Sequence, residues 1–481
     1  MTVLTFFRII TIIIAFVGVT FLIPIGTACA FGETQVLPSF IIPMSAGFAA
    51  AAAFLILGHK KEIRLSMRGT FVVVALAWIA ASVFGALPLY FSGAIPHFTD
   101  AFFESVSGFT TTGATVLGDV ESLPRSINLW RCETHWLGGM GIVTLTVALL
   151  PLLGVGGFQL IKAETTGPEK GKVTPKITTT AKLLWLIYAV LTALQTVLLM
   201  AAGMDFTDAL SYAFATLGTG GFATKNANVG AYNSVPVDVI CTVFMVAAGV
   251  NFSLYYYVLT GKFRDIRNNS ELKAYAGIFV ASTLLISFFI MPQYGTFASA
   301  LRYSSFQVAS ILTTTGFATA DYTLWVPAAQ AVLFVLFFIG GCSGSTAGGI
   351  KVIRWVVLSK QAHNETERML HPHGVFSIRL NGKVGRKDIV FSVAAFVLLY
   401  LLVVFVTTVI GCICSLDLLT SFTGALSMVG NVGPAFGKLG PLYNYGFLSD
   451  VLKWWYCFAM LTGRLELYTM IIFFMPAYWK K

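Results

Sequence analysis

Four short segments could do chemistry, and each ends on a glycine preceded by small, uncharged residues. Thr110, Thr111 and Thr112 lead to Gly113, Thr219 and Gly220 to Gly221, Thr313, Thr314 and Thr315 to Gly316, and Asn431 and Val432 to Gly433. These glycines are 108, 95 and 117 residues apart, and the sequence around them repeats. FTDAFFESVSGFTTTGA from Phe98 lies over FTDALSYAFATLGTGGF from Phe206 without a gap. Main-chain carbonyls and threonine hydroxyls are neutral oxygen donors. A ring of them replaces the water shell of a monovalent cation, yet holds it weakly enough for release. Carbonyls turned toward an axis need backbone conformations that glycine reaches freely. One TTTG segment alone reads equally well as a turn between helices; four at regular spacing favour the ring.

Such loops need a scaffold, and the composition supplies one. The chain of 481 residues is 57% hydrophobic and 11% charged, with a mean hydropathy of +0.81; soluble domains carry about 25% charged residues. Ten apolar runs, roughly 9–31, 39–58, 70–92, 129–153, 183–203, 236–260, 275–292, 327–350, 389–411 and 447–476, are long enough to cross a bilayer core of about 30 Å. Shorter apolar pieces near 98–109, 206–217, 302–312 and 418–429 reach only about 18 Å as helices, so they dip in and return. The expected fold is an all-α polytopic membrane protein: ten transmembrane helices, with four pseudo-symmetric helix–pore loop–helix units around one ion pore. Residues 1–68 form a two-helix extension. The pore units occupy 69–160, 161–272 with its cytoplasmic linkers, 273–387 with a glycine-rich segment and a linker, and 388–481.

The net charge of +10 does not point to nucleic acid, because of where it sits. Loops 59–68, 159–182, 261–274 and 351–387, with Arg8, Lys480 and Lys481, hold 24 of the 31 Lys and Arg residues. All lie on one face of a ten-span topology, as the positive-inside rule requires, which places both termini in the cytoplasm. The seven cysteines have no metal-ligand or redox spacing and read as small core residues. The apolar run after Arg8 is too long for a cleaved leader and is expected to be a retained span. GVGGF at Gly154 lies within apolar sequence and is weak as a phosphate loop. The HPHG sequence at His371 reads as part of a solvated linker.

A second segment, Gly340, Gly341, Cys342, Ser343, Gly344, Ser345, Thr346, Ala347, Gly348 and Gly349, cannot form a sound lipid-facing helix. Irregular backbone at membrane depth is tolerated only where it is buried or lines water. It reads as a flap able to obstruct the path, or alternatively as a small-residue face for close helix packing. Glycines interrupt every outgoing span, at Gly138 and Gly139, Gly249, Gly340 and Gly341, and Gly463. Arg464 lies inside the last span, where a cation marks a pathway or a pairing. It is expected to brake cations opposite the flap, or to pair with Glu466 or Glu133. Arg131, Glu133 and His135 are expected at the membrane interface, with His135 a lesser candidate for proton coupling. Asp100 and Asp208 are expected to cap the short helices and concentrate cations at the mouth.

TTTGA, TGGF, TTTGF and NVGP, together with GGCSGSTAGGIK and the C-terminal GRLELYT, resemble the Trk/Ktr/HKT superfamily of potassium transporters over essentially the whole chain. The two extra N-terminal spans and the length are most similar to its bacterial TrkH-type membrane subunits. The resemblance implies K⁺ uptake at the inner membrane through a pseudo-fourfold pore, a homodimer, and regulation by a cytoplasmic TrkA-type ring of nucleotide-binding subunits. It implies a filter at the four loops, a gating loop at Gly340–Gly349 and a pore barrier at Arg464, with no cofactor beyond the transported K⁺. Some relatives carry serine at the first filter glycine and favour Na⁺; Gly113 here implies K⁺. Loop four, with Asn431 and Val432, departs most from the others. The alternatives are a Na⁺-permeable or Na⁺-coupled variant of the same architecture and a membrane-embedded enzyme, for which no catalytic set of residues is evident.

Overall fold

The computed structural model describes residues 3–57, 67–141, 177–381, 383–384 and 389–480. Six of its helices are long and apolar enough to cross a membrane: Phe6–Ala30, Leu37–Leu57, Gly69–Phe91, Thr179–Ala201, Ser270–Tyr294 and Ile389–Ile413. Two further helix pairs pass the same test together but bend sharply. Val235–Ala248 and Phe252–Leu259 meet at 94°, and Asp450–Arg464 and Tyr468–Phe474 at 117°. The run expected over 327–350 is helical only from Pro327 to Leu336, and the glycine-rich segment beyond it is irregular. The run expected over 129–153 begins with the helix Arg125–Gly139, and from residue 142 it lies outside the described residues. The segment at Gly154 lies outside them too.

Helix Ile389–Ile413 shows why such sequence folds this way. Its buried residues Val393, Phe396, Tyr400, Val404, Thr407 and Gly411 recur every three or four positions and form one inward stripe. Its other face exposes Phe391, Leu398 and Phe405. A helix of 25 residues spans about 37 Å, and an apolar exterior of that length suits hydrocarbon rather than water.

Between the long helices lie four shorter ones, Phe98–Phe109, Phe206–Gly218, Phe297–Leu312 and Leu418–Gly430. Three start on a side-chain cap: Asp205 accepts from the Asp208 amide, Thr296 from Ser299 and Asp417 from Thr420. Such caps satisfy amides that the first helical turn leaves open. The N-terminal helices pack on helices Gly69–Phe91 and Arg125–Gly139 through an aromatic cluster in which Phe21 stacks on Phe84 and meets Phe40 and Trp130 edge-on. After helix Val352–Leu370 comes a small hairpin in which Arg379 pairs with Val384 and Leu380 with Lys383. Of the cysteines, Cys132, Cys241, Cys342 and Cys457 are buried as expected, whereas Cys29 and Cys412 sit on exposed faces.

Candidate functional site: a closed ring of four loops

All four short helices end in the same way. The amides of Thr112, Gly220, Thr315 and Val432 donate to carbonyls five residues back, on Ser107, Ala215, Ser310 and Ser427 (2.8–2.9 Å). The preceding amides, of Thr111, Thr219, Thr314 and Asn431, donate three residues back (3.0–3.3 Å). This is the Schellman end of a helix, which needs a left-handed residue at the first non-helical position. That residue is Thr111, Thr219, Thr314 or Asn431, with φ of 56°, 54°, 55° and 54°. A β-branched residue is strained there, typically by 1–3 kcal/mol. Asparagine tolerates the conformation, so the departure of loop four from the threonine pattern keeps the same backbone. Two residues on, Gly113, Gly221, Gly316 and Gly433 return to positive φ, at 77°, 85°, 79° and 99°.

The loops then close on one another. A methyl group on Gly113 would overlap the carbonyl oxygen of Gly220. One on Gly221 would overlap that of Thr315, one on Gly316 that of Val432, and one on Gly433 that of Thr112. Each glycine therefore lies against the carbonyl that precedes the glycine of the next loop, and the fourth returns to the first. The threonines of the ring are buried. Thr110 and Thr112 share a hydroxyl hydrogen bond of 2.8 Å, and Thr313 and Thr315 one of 2.6 Å. Asn431 Nδ2 joins loop four to loop one through Thr112 Oγ1 at 3.0 Å. The C-terminal ends of four short helices converge here, each carrying about half a negative charge. What results is an uncharged collar, closed loop to loop, in a field that favours a cation.

The outgoing helices hold this collar at close range. Gly138 lies against the Phe109 carbonyl and Gly463 against that of Val429, so neither position has room for a side chain. Behind loops one and two, Glu104 and Arg131 form a buried ion pair (2.6 Å). Glu104 also accepts from the Thr115 hydroxyl (2.8 Å) and the Val116 amide (2.9 Å), just past Gly113.

The glycine-rich segment packs directly against the collar. The Gly348 amide donates to Thr314 Oγ1 (2.7 Å), and Gly348 itself lies against the Gly430 carbonyl. The segment is tied on several sides. Cys342 donates to the Gly249 carbonyl (2.8 Å), and the Gly344 carbonyl accepts from Phe252 (3.0 Å). Glu271 Oε1 accepts from the amides of Ser343 (2.6 Å), within the segment, and Ile353 (3.1 Å), just beyond it. Lys351 donates to the Ala347 carbonyl. Arg464 donates to the Thr346 carbonyl at 2.8 Å and to those of Gly138 and Gly139 at 2.7 and 2.8 Å.

Several expected roles change. Glu466 is salt-bridged to Arg354 (2.6 Å). Arg464 closes the Asp450–Arg464 helix and donates to main-chain carbonyls, whereas Glu466 lies past that helix end at φ 53°. Arg131, Glu133 and His135 are buried within the protein; Arg131 is accommodated by its partner Glu104. Asp208 does not cap its helix, since Asp205 does, and it accepts instead from the Tyr232 hydroxyl (2.5 Å). Asp100 is paired with Lys453 (2.6 Å), so its charge is compensated rather than free to gather cations. At the start of helix Leu418–Gly430, hydrogen bonds from Thr420 hold the exposed Asp417 carboxyl below the usual carboxylate range. Glu104, Glu271 and Lys453 escaped the sequence reading. Glu104 and Lys453 stand out as charges within otherwise largely uncharged helices, whereas Glu271 looks like one more acid in a charged linker.

The sequence pattern of the TrkH family, described as a cation transport protein, matches residues 37–298 and 296–481. The Trk system potassium uptake protein TrkH of Halomonas elongata is 38% identical over 482 residues, covering 98% of both chains. Its namesake in Escherichia coli K12 is 38% identical over 430 residues and 88% of both chains. The crystal structure of the potassium transporter TrkH from Vibrio parahaemolyticus superposes with a TM-score of 0.86 at 33% identity, covering all of both chains.

Proposed function

The chain belongs to the TrkH family of cation transport proteins, and from that membership we propose that it takes up potassium ions across the bacterial inner membrane. It is a multi-pass helical membrane protein whose business is transport rather than catalysis. The single observation that supports a selective pore is the cyclic contact of the four loop glycines with the carbonyls of Gly220, Thr315, Val432 and Thr112. In this reading Thr110–Gly113, Thr219–Gly221, Thr314–Gly316 and Asn431–Gly433 form the K⁺ filter. Gly340–Gly349 is the gating loop and Arg464 the barrier that also secures it. Neutral oxygens suit an alkali cation, and several weak ligands together permit both capture and release.

The reading extends to the whole architecture. Ten spans are arranged as a two-helix extension, residues 1–68, and four units around one pore, 69–160, 161–272, 273–387 and 388–481. Both termini lie in the cytoplasm. The protein acts as a homodimer regulated by a cytoplasmic TrkA-type nucleotide-binding ring, and it needs no cofactor besides the K⁺ it moves. Support for the gate comes from its bond to Thr314 and from the number of distinct ties that hold it.

The test is ion flux in liposomes holding the purified chain, with K⁺, Na⁺ and H⁺ gradients varied separately. K⁺ flux well above Na⁺ flux is expected. Equal fluxes would favour the Na⁺-permeable variant, and a strict proton requirement would make the protein a symporter.

A further inference from the structure

We propose that His135 is a positioning residue of the cation filter, a strut whose imidazole sets the spacing between loops one and two. This rests on the filter reading above. His135 is fully buried on the first outgoing helix. Its Nδ1 lies 2.8 Å from the Gly108 carbonyl, and its Nε2 lies 3.1 Å from the Phe222 amide. A carbonyl only accepts and an amide only donates. The ring that makes both bonds is therefore the neutral tautomer with its hydrogen on Nδ1.

Both partners belong to the collar's own backbone. The Gly108 carbonyl also accepts from the Thr111 amide (3.0 Å), the bond that turns loop one into its left-handed residue. Phe222 directly follows Gly221. Gly220 lies flat against the imidazole, so that a methyl group there would overlap the ring. The Phe222 side chain is held as well, 4.2 Å from the imidazole by ring centroid and with the Arg131 guanidinium 4.4 Å from its own. The imidazole thus bridges the turn of one loop and the exit of the next, where the carbonyl of Gly220 faces Gly113. Moving it by a few tenths of an ångström changes the spacing of the carbonyls that face the ion.

Two amide substitutions separate the two bonds. In His135→Gln the side-chain carbonyl reaches the Nε2 position and accepts from Phe222. In His135→Asn the amide nitrogen reaches the Nδ1 position and donates to Gly108, leaving Phe222 without an acceptor. Each variant thus cuts one end of the strut, and flux in proteoliposomes holding the full chain, with thermal unfolding in detergent alongside, should show a lowered K⁺/Na⁺ ratio for His135→Gln. For His135→Asn the ratio should fall about fivefold, the effect of losing one buried hydrogen bond. A ratio unchanged in either variant overturns the proposal, as does a fall that merely tracks an equal loss of folded protein. Gly113→Ser is measured in parallel. If it shifts the ratio while His135→Asn does not, the strut is wrong and the filter stands; if neither shifts it, the filter reading itself fails.

Discussion

The guanidinium of Arg464 and the carbonyl of Thr346 are hydrogen-bonded at 2.8 Å, and the same side chain reaches Gly138 and Gly139 across the structure. One arginine thereby clamps the glycine-rich segment to the end of the first outgoing helix. The acceptors lie in the last turn of that helix, at its C-terminal end, where a cation is favoured.

Lysine at this position keeps the charge but presents one compact ammonium in place of a planar fork, so it cannot hold both sides. Arg464→Lys should raise basal K⁺ flux about tenfold, the effect of losing roughly one charge-assisted hydrogen bond. Arg464→Gln should raise it further. Proteoliposome efflux without any partner protein measures both. A lysine variant as tightly shut as the parent would show that charge alone acts as the barrier.

Glu271 supplies a second restraint, accepting from one amide within the segment and one just beyond it. Glu271→Gln retains the shape but accepts more weakly, because hydrogen bonds to an ionised carboxylate are about twice as strong as neutral ones. Basal flux should rise about threefold to tenfold, with the K⁺/Na⁺ ratio unchanged. A changed ratio with unchanged basal flux would detach Glu271 from gating.

At Gly113 a Cβ is obstructed by the Gly220 carbonyl. Gly113→Ala should therefore relax the preference for K⁺ as much as Gly113→Ser does. If only the serine variant relaxes it, the hydroxyl rather than the displaced carbonyl is responsible. Flux ratios for the two variants decide the matter.

Asn431 sits at φ 54°, and its amide group donates to Thr112 and to the Met460 carbonyl, both at 3.0 Å. Valine there should cost about 1–2 kcal/mol in backbone conformation alone, in addition to the two lost bonds. Glycine loses the bonds but not the conformation. Thermal unfolding in detergent should rank the parent above Asn431→Gly and Asn431→Gly above Asn431→Val.

Glu104 and Arg131 are both about fully buried in side chain. Removing one partner leaves an uncompensated charge and should cost about 3–5 kcal/mol, whereas replacing both with methionine should cost far less. A double-mutant cycle read by unfolding tests this. Additive losses would mean that the two side chains do not depend on each other.

The collar was legible in the sequence because its requirements fall on residue type. A Schellman end followed by a second positive φ demands glycine at one position and tolerates few residues at the other, so the pattern around Gly113, Gly221, Gly316 and Gly433 stands out. The partners of Arg464 were not legible, because every residue carries a main-chain carbonyl and only folding decides which are open. Capping was misplaced by three residues in the second unit: the motif DFTD offers two aspartates, and the first of them, Asp205, takes the cap. The matching position in the first unit is His97, which makes no capping bond, so the repeat misled where it was imperfect. His135 was read through its ionisation, whereas its position between Gly108 and Phe222 engages it as a neutral donor and acceptor.

The cyclic contact of glycine with carbonyl also has a sense of rotation. Loop one leans on two, two on three, three on four, and four on one, as stones lean in a vault that has no free end. A change in any loop is felt first by its predecessor, whose glycine rests on it. Unlike neighbours can therefore drift apart in sequence only as matched pairs around the circle, and a grafted loop will succeed only together with the one that leans upon it.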